Sequence, residues 1–100
     1  MALYTIHVVR DFKSEETEKI FNRQRSRKLP PEIQQVALRK LRMLHRAQTL
    51  QDLLIPPANR LERLSGNRAG QYSIRINDQW RICFKWLEDD AFQVEIVDYH

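Results

Sequence analysis

Three adjacent residues near the carboxy-terminal end of the sequence, Asp98, Tyr99 and His100, have side chains suited to proton transfer. An imidazole with an unperturbed pKa of about 6.5 takes or gives a proton near neutrality. The phenol of Tyr99 could stack on a base, hold a phosphate or donate a proton, and Asp98 could orient His100 or pair with an arginine. The alternative is a frayed chain end whose polar groups have no role.

A second candidate for chemistry is Arg68, which lies in a short segment between Gly66 and Gly70, the only two glycines of the sequence. Glycine readily adopts positive φ, so this spacing predicts a tight turn that leads into a strand. Either the turn is only a connection, or it presents Arg68 to a phosphate.

Three strands are predicted around these residues, because apolar side chains alternate with polar ones over residues 72–76, 82–86 and 92–96. A period of two with one apolar face indicates an antiparallel sheet that is covered on one side. Arg75, Arg81 and Lys85 fall on the opposite face. We therefore expect an open, cationic sheet face.

The pairing of the strands follows from parity, since directly opposed residues point to the same face. We expect Ile76 opposite Ile82, and Ile82 opposite Ile96. Arg81 then lies beside Val97, one step from Tyr99. A slip of two residues would preserve the faces and change only the partners.

Two helices are predicted to cover the apolar face. Ser14 is a suitable N-cap for the first. The second begins at Pro31, which suits the first helical position, and runs to about His45 with apolar residues at helical spacing. An additional strand is predicted over residues 4–11, and a linker or short helical turn precedes the sheet.

Positive charge is concentrated between Arg23 and Arg46, where eight basic residues accompany one acid, Glu32, while the whole chain carries only +4. This pattern favours a polyanionic partner such as nucleic acid or the ribosome. Arg39, Arg42 and Arg46 are expected to point outward from the second helix. A solvated helix face plus a loop is the alternative.

The composition predicts one small domain, residues 1–100, because 42% of the 100 residues are apolar and 30% are charged. Charges interrupt every apolar run, so no membrane span is expected. The absence of a signal-peptide pattern and the lone Cys83 indicate the cytoplasm. One cysteine and three scattered histidines give no metal-binding signature, and neither metal nor cofactor is expected.

The run "LERLSGNRAGQYSIRINDQWRICFKW", together with the final "DYH", closely resembles the HigB-type toxins of the RelE/ParE toxin–antitoxin superfamily. The similarity is strong over residues 60–100 and looser but collinear over residues 9–47. It implies an α+β fold with a small antiparallel sheet and two N-terminal helices packed on one face. It also implies a type II toxin that cleaves mRNA in the ribosomal A site by attack of the ribose 2′-hydroxyl, without a metal.

Carried over by position, the resemblance makes Asp98, Tyr99 and His100 a catalytic triplet and assigns Arg68 and Arg81 to the phosphate. Basic residues expected to contact RNA or the ribosome are Arg23, Arg25, Arg39, Arg42, Arg46, Arg63, Arg75 and Lys85.

Two positions depart from the family pattern. Glu62 replaces a histidine that is catalytic in some members, and because glutamate can still act as a base, Glu62 is kept as a catalytic candidate. Ser65 replaces a lysine that many members have, so Arg63 or Arg68 must supply the missing charge.

The expected partners are a HigA-like helix-turn-helix antitoxin, the ribosome and mRNA, with operator DNA bound only through the antitoxin. Two other functions fit the same fold or charge: inhibition of gyrase, as in ParE-like toxins, and RNA binding without catalysis. The terminal triplet and the arginines of the open face favour the nuclease.

Overall fold

Two α-helices and four β-strands, joined by three 3-10 turns and loops, make up residues 8–99, the part of the chain that the computed structural model describes. In chain order they are α1 (Glu15–Phe21), α2 (Pro31–Arg46), β1 (Glu62–Arg63), β2 (Gln71–Arg75), β3 (Trp80–Leu87) and β4 (Asp90–Asp98). The strands form one antiparallel sheet in the order β1-β2-β3-β4. The predicted α+β class with two helices on a small antiparallel sheet is confirmed.

Both helices begin where the sequence predicts. The Ser14 hydroxyl accepts the backbone N–H of Thr17 at 3.3 Å and caps α1, and Pro31 occupies the first position of α2. The buried stripe of α2 includes Ala37, Leu41 and Leu44. Within residues 8–99, no helix is both long enough and apolar enough to cross a membrane.

The loop between the helices is organised by the buried residue Ser26. Its hydroxyl donates to the carboxylate of Glu16 at 2.6 Å, and its backbone is bonded in both directions to the side chain of Gln34. The bond from Ser26 is the main cause of the lowered pKa of Glu16. These contacts fix the loop that carries the exposed Arg23 and Arg25 beside α2.

One face of the sheet packs against the helices, and the core lies between them. Ile74, Ile82 and Ile96 are directly opposed across β2, β3 and β4 and are buried together with Leu41 and Leu44 of α2. The other face is the one that carries the predicted arginines, and we call it the open face.

The pairing of β2 with β3 differs by two residues from the predicted one. Ile74 is opposite Ile82, and Arg75 is opposite Arg81. The expected pairing of Ile76 with Ile82 was wrong, because the turn is displaced by one residue and closes where the Ile76 N–H donates to the Trp80 carbonyl at 2.9 Å. The predicted pairings of Ile82 with Ile96 and of Arg81 with Val97 are correct.

A β-bulge interrupts the pairing of β3 with β4 between Cys83 and Lys85. Gln93 adopts φ of 53° there, and its N–H donates to the side chain of Asp11. Beyond the bulge, Phe92 is opposite Lys85, so it shares the open face, and the apolar position predicted for it is taken by Ala91. One extra residue reverses the alternation, which the sequence pattern does not reveal.

The outer edge of β4 is covered by the chain segment before α1. Val9 and Phe12 form isolated parallel bridges with β4, and the Thr17 hydroxyl accepts the N–H of Ile96 at 2.9 Å. These contacts satisfy an edge that would otherwise offer free backbone groups. Of the strand predicted over residues 4–11, residues 4–7 lie outside the described residues, and of residues 8–11 only Val9 forms an isolated bridge.

Candidate active site

A row of four residues crosses the open face, one from each strand: Glu62, Ser73, Cys83 and Glu95. Two carboxylates stand at the ends, and two small side chains, both fully buried, lie between them. Since the middle positions are small, there is room above them for long side chains from neighbouring rows. Arg81 and Arg68 use that room.

Arg81 is anchored by three acceptors. Its Nε donates to the Ser73 hydroxyl at 2.8 Å, its Nη2 donates to the carbonyl of Arg60 at 2.6 Å, and the same nitrogen lies 3.7 Å from Oε1 of Glu62. The Arg81 side chain is only 12% exposed, whereas that of Glu62 is 53% exposed. The guanidinium is therefore held in one orientation before any ligand arrives.

Arg68 approaches the same row from the turn before β2. The predicted turn is a 3-10 segment, Gly66–Arg68, with positive φ at Gly66 and at Gly70. Nη1 of Arg68 donates to Gln71 at 3.1 Å and to Oε1 of Glu95 at 3.3 Å. The turn thus brings Arg68 onto the open face, where Glu95 holds it.

The pKa of the Cys83 thiol shows which charged groups lie near it. Burial raises the pKa of Cys83, Arg68 and Arg81 lower it, and Glu95 raises it. Both arginines therefore act on a thiol that lies beneath them. Because desolvation dominates, Cys83 is a neutral, buried floor of the cluster rather than a reactive group.

One residue of the predicted terminal triplet, Tyr99, borders this cluster, whereas Asp98 lies opposite Trp80, which packs against the core on the helix side. The ring of Tyr99 lies 5.7 Å from the guanidinium carbon of Arg81, within the range of a cation–π contact, and the Tyr99 N–H donates to the carbonyl of Gln79 at 2.7 Å. Asp98 is exposed and accepts a hydrogen bond from the Gln79 amide at 3.0 Å. His100 lies outside the described residues.

Three other predicted RNA-contacting residues have different positions on the sheet. Arg75 lies directly opposite Arg81 and is bonded to Asp78, so each of these two like charges has its own acidic partner. Lys85 lies on the open face opposite Gln71. Arg63 is opposite Tyr72, which puts it on the helix side at the exposed edge rather than beside the other arginines.

The sequence pattern predicts a cationic open face, but the face also carries acidic residues. Glu62 and Glu95 alternate with the arginines and hold them, and Lys13 contributes a further cation 3.9 Å from Glu95. Sequence reasoning missed Glu95 as a member of the site. Strand parity was a sufficient signal, because Glu95 and Val97 share a face and Val97 was correctly set beside Arg81.

The geometry invites comparison with known proteins. A family model described as "RelE-like toxin of type II toxin-antitoxin system HigB" matches residues 10–100. The chain belongs to this family. The resemblance drawn from the sequence is thus confirmed, and membership in a type II system implies an antitoxin partner.

Individual relatives agree with this assignment. Toxin HigB-1 of Vibrio cholerae is 42% identical over 82 residues, which are 81% of this chain and 86% of that protein. An uncharacterised protein of Haemophilus influenzae is 41% identical over 64 residues, 64% of this chain and 63% of its own length. Endoribonuclease HigB of Proteus vulgaris is 39% identical over 41 residues, 41% of this chain and 45% of that protein.

A second basic surface of this HigB-family toxin lies on α2, which packs against the opposite side of the sheet. An open groove of about 900 Å³ runs beside the helix, with Arg23, Arg39 and Arg46 on its walls and Val36 and Met43 among its apolar lining. Arg25 lines a smaller depression next to it. The predicted concentration of charge is therefore real, and it is separate from the arginines of the open face.

Arg42 does not point outward from α2 as predicted, and a second cation of this helix, Lys40, is also turned inward. Arg42 donates to the carbonyl of Phe21 at 2.9 Å and stacks over its ring at 4.4 Å, which ties α2 to the end of α1. Lys40 is buried and donates to the equally buried Asn59. Burial is the main cause of the lowered pKa of Lys40. Both side chains serve packing inside the molecule, although Arg42 still lines the groove.

Proposed function

We propose that this HigB-family toxin is an endoribonuclease that cleaves mRNA on the ribosome and thereby inhibits translation. The observation that carries the proposal is the pair Arg68 and Arg81, each held by a carboxylate at one end of the row that contains the buried Ser73 and Cys83, with Tyr99 next to Arg81. Fixed guanidinium groups on an open surface suit a phosphodiester of a large substrate. The name of the Proteus vulgaris relative, Endoribonuclease HigB, supports the same activity.

The proposed reaction is an internal phosphoryl transfer. The ribose 2′-oxygen forms a bond to the adjacent phosphorus, and the bond from phosphorus to the 5′-oxygen breaks. A base takes the 2′-hydroxyl proton, and an acid gives a proton to the leaving 5′-oxygen, leaving a 2′,3′-cyclic phosphate and a 5′-hydroxyl. Water and redox chemistry take no part in this step, and the protein residues supply the proton transfers without a metal or cofactor.

We assign roles from position and chemistry. Arg81 and Arg68 stabilise the charge that develops on the phosphorane, and His100 transfers a proton with Asp98 as its neighbour. Glu62 has a carboxylate beside Arg81, where it can orient that guanidinium or accept the 2′-hydroxyl proton. Tyr99 stacks against Arg81 and faces the substrate side.

The two grooves found among residues 8–99 lie beside α2, and neither is lined by residues of the open face. Enzymes that work alone usually enclose their substrates. We propose that the ribosome supplies the missing walls, so free RNA should be a poor substrate. The residues proposed to hold the toxin there are Arg23, Arg25, Arg39, Arg42 and Arg46 of the helical side and Arg63, Arg75 and Lys85 of the sheet. A cytoplasmic location follows from a ribosomal substrate.

The proposed antitoxin is a HigA-like helix-turn-helix protein, and operator DNA is proposed to bind only through it. Co-expression with the neighbouring reading frame, followed by purification of a complex, tests this partner. Recovery of an uncomplexed toxin and continued growth arrest would count against it.

The deciding experiment is brief expression of the toxin followed by primer extension on abundant mRNAs. New 5′ ends inside codons, carrying a 5′-hydroxyl and absent from a matched reporter mRNA whose start codon has been removed, support the proposal. DNA damage without new mRNA ends would instead identify a ParE-like gyrase inhibitor. Growth arrest with neither sign, together with RNA binding, would identify a non-catalytic module.

A further inference from the structure

Arg68 reaches the open face from the 3-10 turn before β2 rather than from a strand, and its guanidinium is bonded to Glu95. The side chains of Arg68 and Glu95 are 32% and 19% exposed, so the pair is partly withdrawn from water. Among residues 8–99, the two hydrogen bonds of the Arg68 side chain both use Nη1, one to Gln71 and one to Glu95. Only the second partner carries a charge opposite to that of the guanidinium.

Glu95 in turn is fixed by the sheet. It lies on β4 directly opposite Cys83, next to the bulge, and its neighbours Val94 and Ile96 are buried in the core. A carboxylate on a rigid strand restrains the long side chain that it binds, and charge-assisted hydrogen bonds are the stronger kind. Lys13 lies 3.9 Å from the same oxygen, Oε1, so two cations converge on one carboxylate.

The arrangement of Glu95 with Arg68 mirrors that of Glu62 with Arg81 at the other end of the row. In each case the glutamate at one end of the row holds a guanidinium over the buried small residues Ser73 and Cys83. The two guanidinium groups are held from opposite ends of the row. The strands that carry the two carboxylates therefore set the distance between them, although both arginine side chains are flexible. An error of about 1 Å in the placement of a catalytic group can reduce a rate by about 100-fold.

We infer that Glu95 is a positioning residue, which acts on the substrate only through Arg68 by holding that guanidinium beside Arg81. This inference rests on the proposed function and assigns no direct contact between Glu95 and RNA. A carboxylate beside phosphates otherwise opposes binding, because it repels a polyanion. Removal of the Glu95 carboxylate should therefore strengthen the binding of RNA or leave it unchanged, and should slow the cleavage of bound RNA.

The test compares Glu95→Gln with the unmodified toxin in single-turnover cleavage of mRNA on programmed ribosomes. We expect the rate at saturating ribosomes to fall by about tenfold or more, while the ribosome concentration at half-saturation stays equal or falls, because the variant carries one more net positive charge. A merely structural role would lower the melting temperature and weaken both steps together. Glu95→Asp, which keeps the charge, should be intermediate and serves if the glutamine variant does not fold.

Asp90→Asn is the matched control. Asp90 is on the same strand, is 18% exposed and pairs with Arg10 at 2.9 Å, but it lies at the far end of β4 from the cluster. The single-turnover cleavage rate of Asp90→Asn should equal that of the unmodified toxin. A double-mutant cycle completes the test: Glu95→Gln combined with Arg68→Ala should be no slower than Arg68→Ala alone.

Three results would overturn the inference: a Glu95→Gln rate that is equal to or above that of the unmodified toxin, a rate loss shared by Asp90→Asn, or losses that multiply in the double variant. In each of these cases the unmodified toxin still cleaves mRNA, and the proposed function stands. Absence of cleavage by the unmodified toxin would reject both the proposed function and the role of Glu95.

Discussion

The open face of the sheet and the outer side of α2 are both rich in arginine, yet they hold it in different ways. On the open face, Arg81 and Arg68 are partly buried and form ion pairs with acids of the two outer strands, Glu62 of β1 and Glu95 of β4. On α2, Arg39 and Arg46 are exposed, and within the described residues they form no ion pair. The first arrangement fixes the direction of each donor, whereas the second provides diffuse positive charge.

This difference suggests a division of labour. Fixed donors stabilise charge that develops at one place, so their loss should lower the rate of the chemical step. Diffuse charge attracts a polyanion wherever it lies, so its loss should lower affinity in a salt-dependent way. The following substitutions test that division.

The largest effect is expected for His100→Ala. Removing a general acid or base lowers the rate by about 100- to 10,000-fold. The variant should lose growth arrest and mRNA cleavage while it keeps its melting temperature and its binding to the antitoxin. Full toxicity of the folded variant would show that the terminal imidazole takes no part in catalysis.

Arg81→Ala should lower the single-turnover rate by about 100-fold or more, as expected for loss of one fixed donor to a developing anion. A moderate loss of stability accompanies it, because the buried hydroxyl of Ser73 loses its partner. Arg81→Lys is the control for charge without the forked geometry, and it should recover only part of the rate. Normal cleavage with a large fall in melting temperature would mean that Arg81 is structural.

Replacing Arg39 and Arg46 together with alanine should weaken ribosome binding and leave the saturated rate nearly unchanged. Each lost cation that contacts phosphate reduces the slope of log affinity against log salt by about one. Binding measured at several salt concentrations checks the affinity and its salt dependence. The exposed residue Arg10, which pairs with Asp90 and does not line the groove beside α2, provides an Arg10→Ala control. If the cleavage rate at saturating ribosomes changed while the slope of log affinity against log salt did not, Arg39 and Arg46 would act in the chemical step, contrary to the role given to them here.

The smallest effect concerns Lys40, the buried cation of α2. Burial, together with Arg39 and Arg75, lowers its pKa in the folded state, so the unfolded chain binds this proton more tightly. The free energy of unfolding should therefore gain a positive contribution as the pH rises toward the ordinary lysine pKa of about 10.4. Below the folded-state pKa, the full cost of the buried charge is present.

Lys40→Met should remove this contribution, which denaturant unfolding at neutral pH and at about pH 9.5 measures. Lys28→Met, at an exposed lysine of the loop before α2, is the control and should retain it. An identical pH dependence in Lys40→Met and the unmodified protein would contradict the assignment.

Local features of the fold were predictable because they depend on neighbours in sequence. Ser14 and Pro31 start their helices as expected, and the glycines at 66 and 70 make the turn that carries Arg68. Alternation also assigned Arg81 to the face away from the helices. These outcomes need only capping, conformational freedom at glycine and strand parity.

The sequence by itself determined the helix starts, the turn and the two faces of β2 and β3, because backbone periodicity and residue type decide these locally. Only the tertiary structure decided the two-residue shift between β2 and β3, the bulge that moves Phe92, the inward turn of Arg42 and the pairing of Arg68 with Glu95. A two-residue shift preserves every face, and a long side chain reaches partners far away in sequence. Packing therefore chose between arrangements that local pattern could not distinguish.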